Sequence, residues 1–76
     1  MGKKLEIKWI DSKAGANEWQ YREDLDSLKP PFCTTVGFVV DETPKYITLA
    51  HSISDAQVCG RITIPNQCIL RRRKLK

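Results

Sequence analysis

Histidine is nearly absent from this chain: its 76 residues contain one, His51. That count rules out paired-imidazole catalysis and zinc fingers that need two histidines. Cysteine is sparse and odd in number, with Cys33, Cys59 and Cys68 far apart. A zinc site would have to draw these three and His51 together from four separate elements, whereas structural sites use closely spaced ligand pairs. The expectation is three buried, reduced, metal-free thiols. There is no glycine-rich phosphate loop, and no cofactor is expected. No apolar run approaches the roughly 20 residues of a membrane-spanning helix. Met1-Gly2-Lys3-Lys4 leads into charged alternation, not into the apolar core of a secretion signal. Glu6 stands where a myristoylation motif wants Ser or Thr. These features set the expectation of a cytoplasmic protein. Repeats, low-complexity tracts and domain boundaries are also lacking, so residues 1–76 read as a single small domain.

What the chain does have is a block of alternating apolar residues from Thr34 to Pro65. Val36, Phe38 and Val40 alternate with Thr35, Gly37 and Val39, the period of a strand, and the first set is expected to face the core. Asp41 to Lys45 breaks the pattern, and Pro44 suits a turn there. Ile47, Leu49 and Ile53 form a second alternating face, with His51 in phase as a half-buried structural residue. Asp55-Ala56-Gln57 reads as the next turn. Val58, Ile62 and Ile64 resume the pattern around Gly60, which marks a bulge or bend. Short connections between three strands make an antiparallel meander the expected topology.

The flanks complete the outline. In Lys4–Ile10 the apolar Leu5, Ile7 and Trp9 alternate with charged neighbours, as in a half-exposed edge strand. Asn17 and Gln20 have the spacing of a capping box, and Tyr21, Leu25 and Leu28 have that of an amphipathic helix. Lys29-Pro30-Pro31 ends it. Pro65-Asn66 predicts a 3₁₀ turn before a last strand from Ile69. The fold class expected is mainly β (α+β). It takes the form of a small five-strand Src-homology or Sm-like barrel, or a curved antiparallel sheet, with one short helix between strands 1 and 2.

Several of these pieces resemble a group of small uncharacterised proteins encoded in phage and prophage genomes. They are Trp9-Ile10-Asp11, Trp19, Val36-Gly37-Phe38-Val39-Val40, Glu42-Thr43, Tyr46-Ile47, Leu49-Ala50 and Ile64-Pro65 with Ile69. The resemblance implies a phage or prophage origin and an accessory role in a bacterial host, and it carries no activity with it.

Candidate functional residues fall into three sets. His51-Ser52 is the most enzyme-like pair, but neighbours on a strand point to opposite faces and should not meet. Catalytic residues are therefore not expected. Trp9 and Trp19 should pack helix against sheet, and whichever is exposed becomes an anchor for a protein partner, with Tyr46 as a further candidate. The net charge of +4 rests on Arg71, Arg72, Arg73, Lys74 and Lys76. With Arg61 these are the candidates for nucleic-acid contact, since such clusters release counterions from phosphates. Arg71–Arg73 are expected to pair as a closing strand, with Lys74–Lys76 frayed. The combined expectation is a non-enzymatic small binding protein with a protein partner, and nucleic-acid binding as the alternative.

Overall fold

The computed structural model describes residues 2–76. Five antiparallel strands make one open sheet: β1 (Lys4–Ile10), β2 (Phe32–Glu42), β3 (Tyr46–Ile53), β4 (Val58–Pro65) and β5 (Ile69–Leu75). Their spatial order is β4-β3-β2-β1-β5. The meander β2-β3-β4 therefore matches the alternation in the sequence. β1 departs from expectation. It is not an edge, because β2 flanks it on one side and β5 on the other. Its Lys4, Glu6 and Lys8 instead supply the charged face of an inner strand.

The core lies on one face of the sheet. Leu5 and Ile7 of β1, Ile47 and Leu49 of β3 and Ile64 of β4 are buried there, with Trp9, Val39, Ile62, Cys68 and Ile69 packed around them. The Trp9 indole N–H donates to Thr35 Oγ1 at 3.0 Å, which pairs its polar atom while the ring covers the core. β2 has the opposite phase to that expected. Opposed residues of paired strands share a face, and Gly37 lies across from Leu5 while Val36 lies across from Glu6. Val36 is exposed and Phe38 only half-buried, so the larger side chains point away from the core. The reason is a close approach. A Cβ on Gly37 would stand 2.9 Å from the Ala50 carbonyl oxygen and 3.1 Å from Leu49 Cβ. β3 fills the core at this level and leaves β2 room only for glycine.

The turns use short side chains as backbone surrogates. Thr43 Oγ1 accepts from the backbone N–H groups of Lys45 and Tyr46 at 3.1 and 3.0 Å. Ser54 Oγ accepts from the Gln57 N–H at 3.0 Å. Gly60 adopts φ +68°, a left-handed conformation that glycine favours, and the β3–β4 register runs past it without a shift, so it makes no bulge.

A 3₁₀ turn, Asn66–Cys68, joins β4 to β5 as the sequence predicts. It thereby links the two outermost strands of the sheet. Asn66 ties this turn to the β2–β3 connection. Its backbone N–H donates to the Lys45 carbonyl at 2.9 Å. Its Nδ2 donates to the carbonyls of Thr43 and Pro44 at 3.1 and 3.0 Å, and its Oδ1 accepts from Arg72 at 2.8 Å. β5 runs on to Leu75, so Lys74 and Leu75 are paired strand residues, not frayed ones.

The expected helix is absent. Between β1 and β2 there is only one 3₁₀ turn, Arg22–Asp24, flanked by extended Tyr21 and Leu25. No element packs on the stripe Tyr21, Leu25, Leu28, and all three side chains are exposed. An isolated helix shorter than about 12 residues is marginal in water, so spacing alone did not suffice.

Candidate interaction surface

The connection 11–31 is the least conventional part of the molecule. Hairpin loops usually span about two to five residues, whereas every residue from Asp11 to Pro31 here is exposed. The segment is nevertheless shaped. The Asp11 N–H donates to the Pro31 carbonyl at 3.1 Å and closes its base. Gly15 lies against Leu28, with 3.5 Å from an ideal Cβ to Leu28 Cδ1, so the two limbs run side by side. The turn at Arg22–Asp24 lies beyond them. The connection is thus an arm. Its projection is visible in the radius of gyration, 16.2 Å, and the extents of 53 × 23 × 21 Å. A compact chain of this length has a radius near ~11 Å.

The arm carries four large exposed apolar side chains, Trp19, Tyr21, Leu25 and Leu28. Trp19 is fully exposed at 103% and Tyr21 is at 77%. Trp19 therefore does not pack helix against sheet as expected, while Trp9 does cover the core. Sequence reasoning placed Leu25 and Leu28 on a helix face and so missed them as surface residues. Their position between a polar, small-residue loop and Pro30-Pro31 was the available signal. The arm is also acidic. Asp11, Glu18, Glu23, Asp24 and Asp26 outnumber Lys13, Arg22 and Lys29, a net of −2. The remainder of the chain accordingly carries +6 of the total +4.

The C-terminal cations do not form one patch. Register places Arg72 across from Ile7 and Lys74 across from Leu5, on the core side. Arg72 is engaged there by Glu42 at 2.8 Å and by Asn66. Arg71 and Arg73 lie across from Lys8 and Glu6 on the other side, which we call the outer face, and Arg73 pairs with Glu6 at 3.0 Å. Lys76 lies beyond β5. The outer face of β2-β1-β5 thus presents Lys4, Lys8, Arg71 and Arg73 around the carboxylate Glu6, with a second carboxylate, Asp41, at the β3 end of β2. It also exposes Phe32 (79%) and Val36 (50%) beside them.

Arg61 and Tyr46 belong to the outer side of β3–β4. Arg61, with Asp41, Thr48, Thr63, Val40 and Val58, lines an open groove of about 560 Å³ whose floor carries a 2.8 Å Thr48–Thr63 hydroxyl bond. Tyr46 lies two residues along β3 from Thr48, and its ring is partly exposed.

His51 and Ser52 correct a further expectation. They do meet, with Nδ1 and Oγ 2.7 Å apart, and both are exposed, whereas His51 was expected to be half-buried. Opposite-facing Cβ atoms do not prevent this, because the unpacked imidazole can swing along the strand toward the short hydroxyl side chain. A base beside a hydroxyl is the start of a nucleophilic pair. Among the described residues the imidazole makes no second hydrogen bond that would orient it. The cysteines are less buried than expected: Cys59 is exposed and Cys33 and Cys68 are half-buried, all three as free thiols. Among the described residues no three His, Cys, Asp or Glu side chains gather as a metal site. No helix among them is long and apolar enough to cross a membrane.

Comparison with protein-family models, with curated proteins and with solved structures found no match to this chain.

Proposed function

We propose that this chain is a non-enzymatic small binding protein that works through a protein partner, with the arm 11–31 as its adhesive element. The observation that carries the reading is the full exposure of Trp19 at the end of a closed, two-limbed arm. Trp and Tyr are the residues that dominate protein interfaces when buried, and long shaped loops in small domains are usually functional. The open position of the His51–Ser52 pair, which among the described residues has no carboxylate bonded to its imidazole, supports a binding role over a catalytic one. The similarity of the strand motifs to phage and prophage proteins supports an accessory role in a bacterial host, acting in its cytoplasm. The three-residue link between the two outermost strands, Asn66–Cys68, supports a small barrel of the Src-homology or Sm-like kind as the finer description of the sheet.

The test is affinity purification of tagged protein from host cells after nuclease treatment, in parallel with Trp19→Ala. Retention of a protein by the parent and its loss from the variant is the expected result. Equal retention by both would remove the arm from the interface.

A second reading is favoured by one observation. Lys8 and Arg71 are exposed side by side on the outer face, on the same side as the exposed Phe32 ring. Cations beside an aromatic ring suit a single-stranded nucleic acid, through phosphate contact and base stacking. Material that co-purifies only without nuclease, and is lost in Arg71→Glu, would favour this reading.

A further inference from the structure

We propose that the occupant of the arm is a second copy of this chain. Two copies exchange arms, and each arm lies on the outer face of its partner's β2-β1-β5. The inference rests on the reading that the arm binds protein, and it names the partner.

Charge is the first argument. The acidic arm, net −2, has a counterpart in the same molecule: the outer face with Lys4, Lys8, Arg71 and Arg73. Within one copy the arm projects away from the body, and among the described residues no arm carboxylate pairs with a cation of that face, the ion pairs there being Arg72–Glu42 and Arg73–Glu6. In a two-fold pair the same two surfaces meet twice, which is the self-complementary arrangement of a closed dimer. The overall +4 of each copy opposes association only weakly. Charges beyond about 8 Å are screened at physiological salt, whereas the arm and the face would be in contact.

Apolar surface is the second argument. The face offers Phe32 and Val36, and the arm offers Trp19, Tyr21, Leu25 and Leu28, all exposed in the single chain. Burying two aromatic side chains removes roughly 400 Å² from water. Two arms and the two surfaces that they cover then bury on the order of 1,600 Å², the area of a stable specific interface.

The experiment is sedimentation equilibrium on the full chain over a range up to about 100 μM, because interfaces of this area span μM to pM affinities. The expected result is twice the chain mass, with dissociation promoted by raised salt. Trp19→Ala should weaken the dimer at least about 30-fold, as loss of an interfacial tryptophan anchor does. An arm variant, Asp24→Lys with Asp26→Lys, and a face variant, Lys8→Glu with Arg71→Glu, should each be monomeric alone and form a mixed dimer together. All these positions are exposed, and a urea midpoint equal to that of the parent, measured at a dilution where the parent is monomeric, confirms the fold of each variant. A parent chain that stays monomeric at about 100 μM overturns the inference, and so does a dimer indifferent to Trp19→Ala. In either case the purification described above decides the underlying reading. Arm-dependent retention of another protein preserves that reading with a different partner, and its absence removes both.

Discussion

Replacing Asn66 with alanine should be among the most damaging changes outside the core. The backbone N–H contact to Lys45 survives the substitution, but three side-chain hydrogen bonds do not: two to the Thr43 and Pro44 carbonyls and one from Arg72. Each neutral bond contributes about 1 kcal/mol net. The Arg72 bond is charge-assisted, but the Arg72 side chain is 35% exposed, so solvent screening holds it to about the same. Water can reach the freed carbonyls at this half-buried position and restores part of the total. The expected loss is about 2 kcal/mol. A 76-residue chain has an expected stability of roughly 4–11 kcal/mol, so the variant still folds and the loss is measurable. Urea unfolding read by Trp9 fluorescence, in a Trp19→Phe background that removes the exposed reporter, provides the assay. With a slope near 1 kcal/mol/M the midpoint should fall by about 2 M at unchanged slope. A shift below about 0.3 M would refute the idea that Asn66 fastens the 3₁₀ turn to the β2–β3 connection.

The remaining expectations concern the glycines, the last strand and the arm. Gly37→Ala should cost about 2–3 kcal/mol by denaturant titration, because its new Cβ meets backbone at 2.9 Å and nearby Leu49, neither of which can swing aside. Gly60→Ala should cost about 1–3 kcal/mol in the same assay, from the positive φ and a 2.8 Å approach to His51 Cβ, whereas Gly15→Ala should be neutral. Truncation after Leu70 removes the β1–β5 ladder, and calorimetry should show a melting temperature lower by at least about 10 °C, or no cooperative transition. Trp19→Ala should leave the unfolding free energy of the monomer, from urea titration, within about 0.5 kcal/mol of the parent, since the ring touches no core residue.

The parts of this fold legible in the sequence are those with local causes. Period-two alternation locates β3 and β4, the breaks at Asp41–Lys45 and Asp55-Ala56-Gln57 locate the turns, although β2 takes in Asp41 and Glu42, and Pro65-Asn66 locates the 3₁₀ connection. The misreadings have non-local causes. The phase of β2 turns on one close approach at Gly37, which no count of apolar side chains can foresee. β1 looked like an edge because its partner β5 lies at the other end of the chain. The helix over Tyr21–Leu28 had correct spacing but no surface to pack against, and spacing is only an offer of amphipathicity. The site was half visible: Trp19 was recognised as an anchor if exposed, but only the structure shows the arm that exposes it. The sequence predicts Arg71–Arg73 as a closing strand, and they do pair with β1, but the ladder runs on through Lys74 and Leu75, which the charge run suggests would fray.

The pairing of β1 with β5 has a consequence for synthesis. Glu6 and Arg73 form an ion pair across 67 positions of sequence, so the strand made first waits for the strand made last. Until β5 has left the ribosome, β1 has one row of backbone N–H and C=O groups bare, while β2 can already cover the other. A nascent chain in that state has an open strand edge, the kind of template that recruits other chains. The lysines Lys4 and Lys8 then act as guards for a transient edge, and their charge matters most before the native sheet exists. Ribosome-bound intermediates that stop short of Ile69 should accordingly be the stage at which neutralising both lysines does the most harm.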